Sequence, residues 1–239
     1  MKPVVWFTRQ MPVDEVSLGE SIGIKVVEVP LIQIKPYSKK IIAQQIIRLP
    51  KPDAIVLTSK NGAMGYLKSI DLVNPKYGEV PVYALGEKTA KPLQENKIPF
   101  FDCKATTGID TANFVINHLF QKNACIWHFC GDKSRKETGE TFQSASYSYN
   151  QIVSYSTQSK KIKLKDSKPD GIVFYSPSAI QSYVGQVETG NLRIPVFSIG
   201  PTTSSVAVDL GFKTVFTAHT PSVEAVLDEI KKYFNLQKL

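Results

Sequence analysis

The sequence predicts an α/β protein made of two similar domains, each a parallel sheet covered by helices. Three observations carry that expectation. Pro52-Asp53-Ala54-Ile55-Val56-Leu57-Thr58-Ser59 returns as Pro169-Asp170-Gly171-Ile172-Val173-Phe174-Tyr175-Ser176. A strand and glycine turn follow each copy, Val82-Tyr83-Ala84-Leu85-Gly86-Glu87-Lys88-Thr89 and Val196-Phe197-Ser198-Ile199-Gly200-Pro201-Thr202-Thr203. Asp53 and Asp170 stand 117 residues apart, and Gly86 and Gly200 stand 114 apart, so the register holds across a whole domain. Short β-branched runs alternate with helix-like stretches in both copies, the pattern of parallel strands with helical crossovers. The 239 residues suit two domains of ordinary size, each able to bury its own core.

Val4-Val5-Trp6-Phe7 reads as the first strand, and after a polar turn residues 13–22 have helical character. Lys25-Val26-Val27-Glu28-Val29 is a second strand, closed by Pro30. Ile55-Val56-Leu57 is a buried strand that empties into Ser59-Lys60-Asn61-Gly62, where Ser supplies a helix N-cap. The second copy opens with Ala124-Cys125-Ile126-Trp127-His128-Phe129, Trp127 taking the place of Trp6, and Gln151-Ile152-Val153-Ser154-Tyr155 matches the second strand. Ile172-Val173-Phe174 then runs into the cap Ser176-Pro177-Ser178. The turns after Leu85 and Ile199 start helices with Gly and Thr.

Composition narrows the function classes. Hydrophobic content of 42% and charged content of 21% are those of a globular chain, and no apolar run approaches the roughly 20 residues that cross a bilayer. Met1-Lys2 leads into an apolar run too short for a signal-peptide core, so the expected location is cytoplasmic. Cys103, Cys125 and Cys130 are too few and too unevenly spaced for a disulfide framework or a four-ligand zinc site, and read as buried thiols. His118, His128 and His219 lack the i, i+4 spacing of a metal helix, so no metal is expected. A net charge of +8 favours an anionic partner. The basic residues are scattered, with no run of five or six and no nucleic-acid signature, so a small polyanion explains the charge as well as nucleic acid would. Lys133-Ser134-Arg135-Lys136 and Lys160-Lys161-Ile162-Lys163 are the densest groups, readable either as binding charge or as solvated faces.

Ligands of open α/β sheets bind beyond the carboxyl ends of the strands, where helix N-termini attract anions. Thr58-Ser59, Gly86-Glu87-Lys88-Thr89, Ser176-Pro177-Ser178 and Gly200-Pro201-Thr202-Thr203 are four such cradles, two in each repeat, although each taken singly could be a plain cap. Neither dinucleotide nor P-loop glycine motifs occur, and no nucleophile elbow does.

The ordered set Thr8-Arg9, Leu57-Thr58-Ser59-Lys60-Asn61-Gly62, Tyr83-Ala84-Leu85-Gly86-Glu87-Lys88-Thr89-Ala90, Phe129-Cys130-Gly131-Asp132, Val153-Ser154-Tyr155-Ser156-Thr157, Val173-Phe174-Tyr175-Ser176-Pro177-Ser178, Phe197-Ser198-Ile199-Gly200-Pro201-Thr202-Thr203 and Thr217-Ala218-His219-Thr220-Pro221-Ser222 resembles the uroporphyrinogen-III synthase family over essentially the whole chain. The resemblance implies two Rossmann-like or flavodoxin-like α/β domains with parallel sheets, joined by a two-stranded linker, with a cleft between them. Mapped here, domain one is residues 1–35 plus 165–239 and domain two is 38–160, with basic connectors at about 35–40 and 159–165. A tandem split near residue 122 is the simpler alternative.

The implied reaction is cofactor-independent cyclisation of hydroxymethylbilane, a linear tetrapyrrole with eight carboxylates, to uroporphyrinogen III with loss of water and inversion of the last ring. By resemblance Tyr155 is the expected proton donor to the leaving hydroxyl, although it could merely pack at the rim. Thr202 and Thr203 are expected to bind a substrate carboxylate, with Thr58, Ser59, Lys88, Thr89, Ser176 and Ser178 extending the cradles. Arg9 could clamp a carboxylate or form a domain-closing salt bridge. Lys133 and Arg135 could add charge. The expected partners are the substrate and, transiently, the enzyme that makes it, with no nucleic acid, no membrane, and a monomeric state. A two-lobed binding protein for an anionic small molecule is the alternative, and a basic nucleic-acid module comes third.

Overall fold

A computed structural model describes residues 1–77, 80–162, 168–187 and 192–236, the side chains of 74–77 excepted. In chain order the elements are β1 (Val4–Phe7), α1 (Val13–Ser21), β2 (Lys25–Glu28), β3 (Ile32–Pro36), α2 (Lys39–Ile46), β4 (Ala54–Leu57), α3 (Lys60–Tyr77), β5 (Val82–Ala84), α4 (Glu87–Glu95), β6 (Phe101–Asp102), α5 (Gly108–Leu119), β7 (Cys125–Gly131), α6 (Glu137–Ser144), β8 (Ser148–Ser159), β9 (Gly171–Phe174), α7 (Pro177–Val184), β10 (Val196–Ser198), α8 (Pro201–Asp209), β11 (Val215–Thr217) and α9 (Val223–Tyr233). The expected mixed α/β fold with predominantly parallel sheets is what forms.

The chain divides into two compact units, Met1–Gln33 with Gln158–Leu239, and Ile34–Thr157. The first holds the sheet β11-β10-β9-β1-β2 and the second the sheet β3-β8-β7-β4-β5-β6. Every pairing in the first sheet is parallel, and so are those from β8 to β6 in the second. β3 joins β8 antiparallel, as the bonds from Tyr37 N–H to Ser154 O and from Lys160 N–H to Leu31 O require. The connector expected at 35–40 is therefore the end of β3 and the start of α2, with Ser38 capping the helix. Residues 163–165 of the other connector lie outside the described residues.

Both sheets have one strand order. Read outward it is β2-β1-β9-β10-β11 in the first unit and β8-β7-β4-β5-β6 in the second, the flavodoxin-like 2-1-3-4-5. β1 thus corresponds to β7 and β9 to β4. The repeats seen in the sequence are exchanged between units: the opening strands of each repeat lie beside the closing strands of the other.

The Pro-Asp motif now has a structural reason. Asp53 Oδ2 accepts the Cys125 N–H at 2.7 Å, and Asp53 N–H donates to Cys125 O at 2.8 Å. Asp170 does the same for Val4, at 2.7 and 2.8 Å. Each Asp ties the amino end of one central strand to its neighbour, with a carboxylate that strengthens the bond.

Apolar clusters cover both faces of each sheet, and all four residues of β4 are buried, as a central parallel strand demands. α3 lies unusually close to the sheet. A Cβ on Gly62 would stand 2.3 Å from Phe129 O, and one on Gly65 would stand 2.3 Å from Ser154 Cβ. Glycine at both positions seats the helix on β7 and β8.

Candidate functional site

In each unit the strand order reverses between equivalent strands, β7/β4 and β1/β9. Arg9, Thr58, Ser59, Ser176 and Ser178 stand at the carboxyl ends of these pairs, while Lys88 and Thr89 follow β5, Thr202 and Thr203 follow β10, and Tyr155 lies within β8. In the second unit Ser59 caps α3, its Oγ accepting the Gly62 N–H at 3.0 Å. The same Oγ lies 3.2 Å from the Tyr155 hydroxyl, across 96 residues of sequence. Because Ser59 already accepts from the helix, it can give its own proton to Tyr155 and leave the phenol proton free for a ligand.

Several features hold Tyr155 there. The β7–β8 ladder shifts register after Cys130, so that Gly131 pairs with Tyr155 rather than Ser154. A Cβ at 131 would come 2.5 Å from the Tyr155 ring, which makes glycine the residue that admits the phenol. Asp132 N–H donates to Tyr155 O at 3.1 Å, and Asp132 Oδ1 accepts from Thr157 N–H at 2.9 Å, clamping the strand at the tyrosine and just after it. Burial raises the Tyr155 pKa despite the Ser59 contact, so the phenol is neutral and protonated at pH 7.

Thr58, on the adjacent strand end, reaches a residue not anticipated from sequence. His128 is fully buried in β7, with Nε2 2.8 Å from Thr58 Oγ1 and Nδ1 2.6 Å from the Tyr149 hydroxyl. Desolvation pushes its pKa down to about 4, so the imidazole is neutral. Its one signal in the sequence is a histidine inside an otherwise apolar buried run.

The glycine turns behave alike in the two units. Gly86 and Gly200 precede α4 and α8 in fully extended backbone. A Cβ at 200 would meet nothing within 4 Å, and one at 86 would meet only Ala105 O at 3.5 Å. The fold itself therefore does not exclude a side chain here, and the space beside both helix N-termini is open. The third helical residues, Thr89 and Thr203, are buried, and their N–H groups bond Gly86 O and Gly200 O. Lys88 and Thr202 are exposed, at the helix turn where backbone N–H groups lack intrahelical acceptors. Each turn thus supplies two exposed side chains, Glu87 and Lys88 in one and Pro201 and Thr202 in the other, and one buried threonine.

In the first unit Thr8 Oγ1 donates to Val173 O at 2.8 Å, tying β1 to β9. Arg9 follows, its Nη2 donating to Glu15 Oε2 and its guanidinium lying 4.2 Å from the Tyr175 ring centroid. Ser176 caps α7 by accepting the Ala179 N–H at 3.3 Å, and Ser178 is half-buried in the first turn. Lys133 and Arg135 are exposed beyond β7. Among the described residues no group of three His, Cys, Asp or Glu could hold a metal ion, and no helix is long and apolar enough to cross a membrane. The three cysteines are buried, burial pushing Cys130 up to about 11 and Cys103 up to about 12.

Comparison with known proteins adds a family and a fold. The family model "Uroporphyrinogen-III synthase HemD" matches residues 14–228. Among solved structures, uroporphyrinogen-III synthetase from Helicobacter pylori aligns at 19% identity and a TM-score of 0.68, covering 98% of this chain and 100% of that one. A mutant uroporphyrinogen III synthase from the extremely thermophilic bacterium Thermus thermophilus aligns at 13% identity and a TM-score of 0.67, covering 98% and 99%. At these identities the two structures speak for the fold alone. No curated protein sequence matches.

Proposed function

The chain belongs to the uroporphyrinogen-III synthase family, and from that premise we propose how its own residues carry the reaction. It is a cofactor-independent cyclase of tetrapyrrole biosynthesis that closes hydroxymethylbilane to uroporphyrinogen III, inverting the last ring and releasing water. The C–O bond of the hydroxymethyl group breaks as its oxygen takes a proton and leaves as water. The electron-poor azafulvene left behind is attacked by the substituted carbon of the terminal pyrrole, giving a spiro intermediate that fragments and recloses with that ring inverted. The protein must supply a proton at the leaving oxygen and hold a flexible polyanion in one curled shape.

In our reading Tyr155 supplies the proton. The observation that carries this is the Ser59–Tyr155–Gly131 arrangement: a neutral phenol seated against a glycine, with a serine positioned to donate into its oxygen. Substrate carboxylates are received at the strand and helix ends of both units, by Thr58 and Lys88 in one and by Thr202, Ser178 and Arg9 in the other. Thr89, Thr203 and Ser176 shape those turns from within. Lys133 and Arg135 raise the local positive potential. Domain one at 1–35 plus 165–239 and domain two at 38–160, a monomeric state, a cytoplasmic location and a transient contact with the enzyme that delivers the substrate complete the proposal.

Tyr155→Phe tests it. Removing a positioned general acid should lower kcat by about 10²-fold, with KM little changed and isomer III still the product. An unchanged kcat would refute the acid role.

A further inference from the structure

We propose that His128 is a positioning residue for this reaction, fixing the Thr58 hydroxyl so that its proton points off the carboxyl end of β4 towards a substrate carboxylate. The inference rests on the reading that this sheet edge receives substrate. Its basis is the three-residue chain Tyr149–His128–Thr58, with contacts of 2.6 and 2.8 Å.

A neutral imidazole has one donor nitrogen and one acceptor. Burial raises the Tyr149 pKa, but of the two hydroxyls a phenol is still the better hydrogen-bond donor and an aliphatic hydroxyl the better acceptor, so Tyr149 donates to Nδ1. Nε2 must then carry the ring proton and donate to Thr58 Oγ1. With its oxygen accepting from below, Thr58 keeps its own proton for an acceptor above the strand end. Had the tautomer been reversed, Thr58 would spend that proton on the imidazole and meet a carboxylate with lone pairs.

The surroundings hold this arrangement in place. His128 pairs with Val56 in the ladder, two residues inside Thr58, and is 0% exposed. Tyr149 is gripped by α6: Phe142 stacks on its ring at 5.9 Å with planes 17° apart. Gly139 makes room for it, since a Cβ there would stand 2.6 Å from Tyr149 Cε1. Helix α6 therefore reaches the substrate edge through one phenol and one imidazole. Burial keeps the imidazole neutral throughout the working range.

The test combines histidine nitrogen NMR with kinetics of isomer III formation. Without substrate, His128 should show an unprotonated Nδ1 and a protonated Nε2, and a protonated Nδ1 would overturn the inference. Tyr149→Phe and Thr58→Val should each raise KM for hydroxymethylbilane by about 3- to 10-fold, the worth of one hydrogen bond, with kcat within about twofold. Thr58→Ser should restore the wild-type KM. The double variant should be no worse than Thr58→Val alone, because Tyr149 acts only through Thr58. Effects that multiply, or a Tyr149→Phe variant with wild-type KM, would overturn the role. Wild-type protein yielding only isomer I would remove the functional premise instead, while the tautomer would still be read from the same protein. His128→Gln is the direct variant; Tyr149→Phe carries the test if that one does not fold.

Discussion

Acidification should destabilise the second unit through His128, by an amount the structure sets. The unfolded histidine titrates near 6.5 and the buried one near 4. Between those values the unfolded chain binds a proton that the folded chain excludes, so stability is present above the unfolded pKa and is lost as pH falls. From about pH 7 to about pH 5 the loss attributable to this one residue is about 2 kcal/mol, levelling near about 3 kcal/mol once pH is below both values. The two tryptophans allow the measurement to be made on one unit. Trp127 is buried in β7 beside His128, and Trp6 lies in β1 of the other unit. Urea unfolding followed by Trp127 fluorescence in a Trp6→Phe background should give the free energy at each pH. The same series on His128→Gln, which cannot titrate, removes the contribution of the carboxylates. The wild type should be steeper by about 2 kcal/mol over that interval. Equal slopes in the two proteins would refute the reasoning, as would a His128 that is mostly imidazolium at pH 5 in the folded protein.

Gly62→Ala should cost the second unit about 1–3 kcal/mol, because its methyl meets the Phe129 carbonyl and α3 must lift from β7, and the same fluorescence assay reads the loss. A neutral effect would mean the helix has slack there. Lys88→Ala should raise KM for hydroxymethylbilane by no more than about fivefold, as befits an exposed charge, and the difference from wild type should shrink in high salt. A large, salt-insensitive drop in kcat would instead place Lys88 at the reacting atoms.

The fold is legible in the sequence wherever local chemistry and burial agree. Ile55-Val56-Leu57 and Ile172-Val173-Phe174 are continuous apolar runs between Pro-Asp and Ser, and each becomes a central strand. The repeat is equally plain, but the exchange of its halves between units is not, since strand pairing across more than a hundred residues leaves no local trace. The basic stretch at 35–40 shows only its charge in the sequence, and the antiparallel pairing of β3 with β8 beside it is determined by backbone bonds alone. Within the site, Ser59 and Gly131 are visible as a cap and a turn. Their meeting at Tyr155 depends on the register shift after Cys130, which no residue type announces. His128 shows itself in the sequence only as a histidine within an apolar run, with a spacing to the other histidines that excludes a metal helix. Its partners come from the two flanking strands, 70 and 21 residues away, and only the parallel register brings them to one imidazole.

The most direct test is to supply purified protein with enzymatically generated hydroxymethylbilane and resolve the oxidised products into uroporphyrin I and III, beside a control without protein. The account predicts predominant isomer III, at a rate unaffected by added metal or nucleotide. Isomer I alone, the product of spontaneous closure, from protein shown to be folded would contradict it.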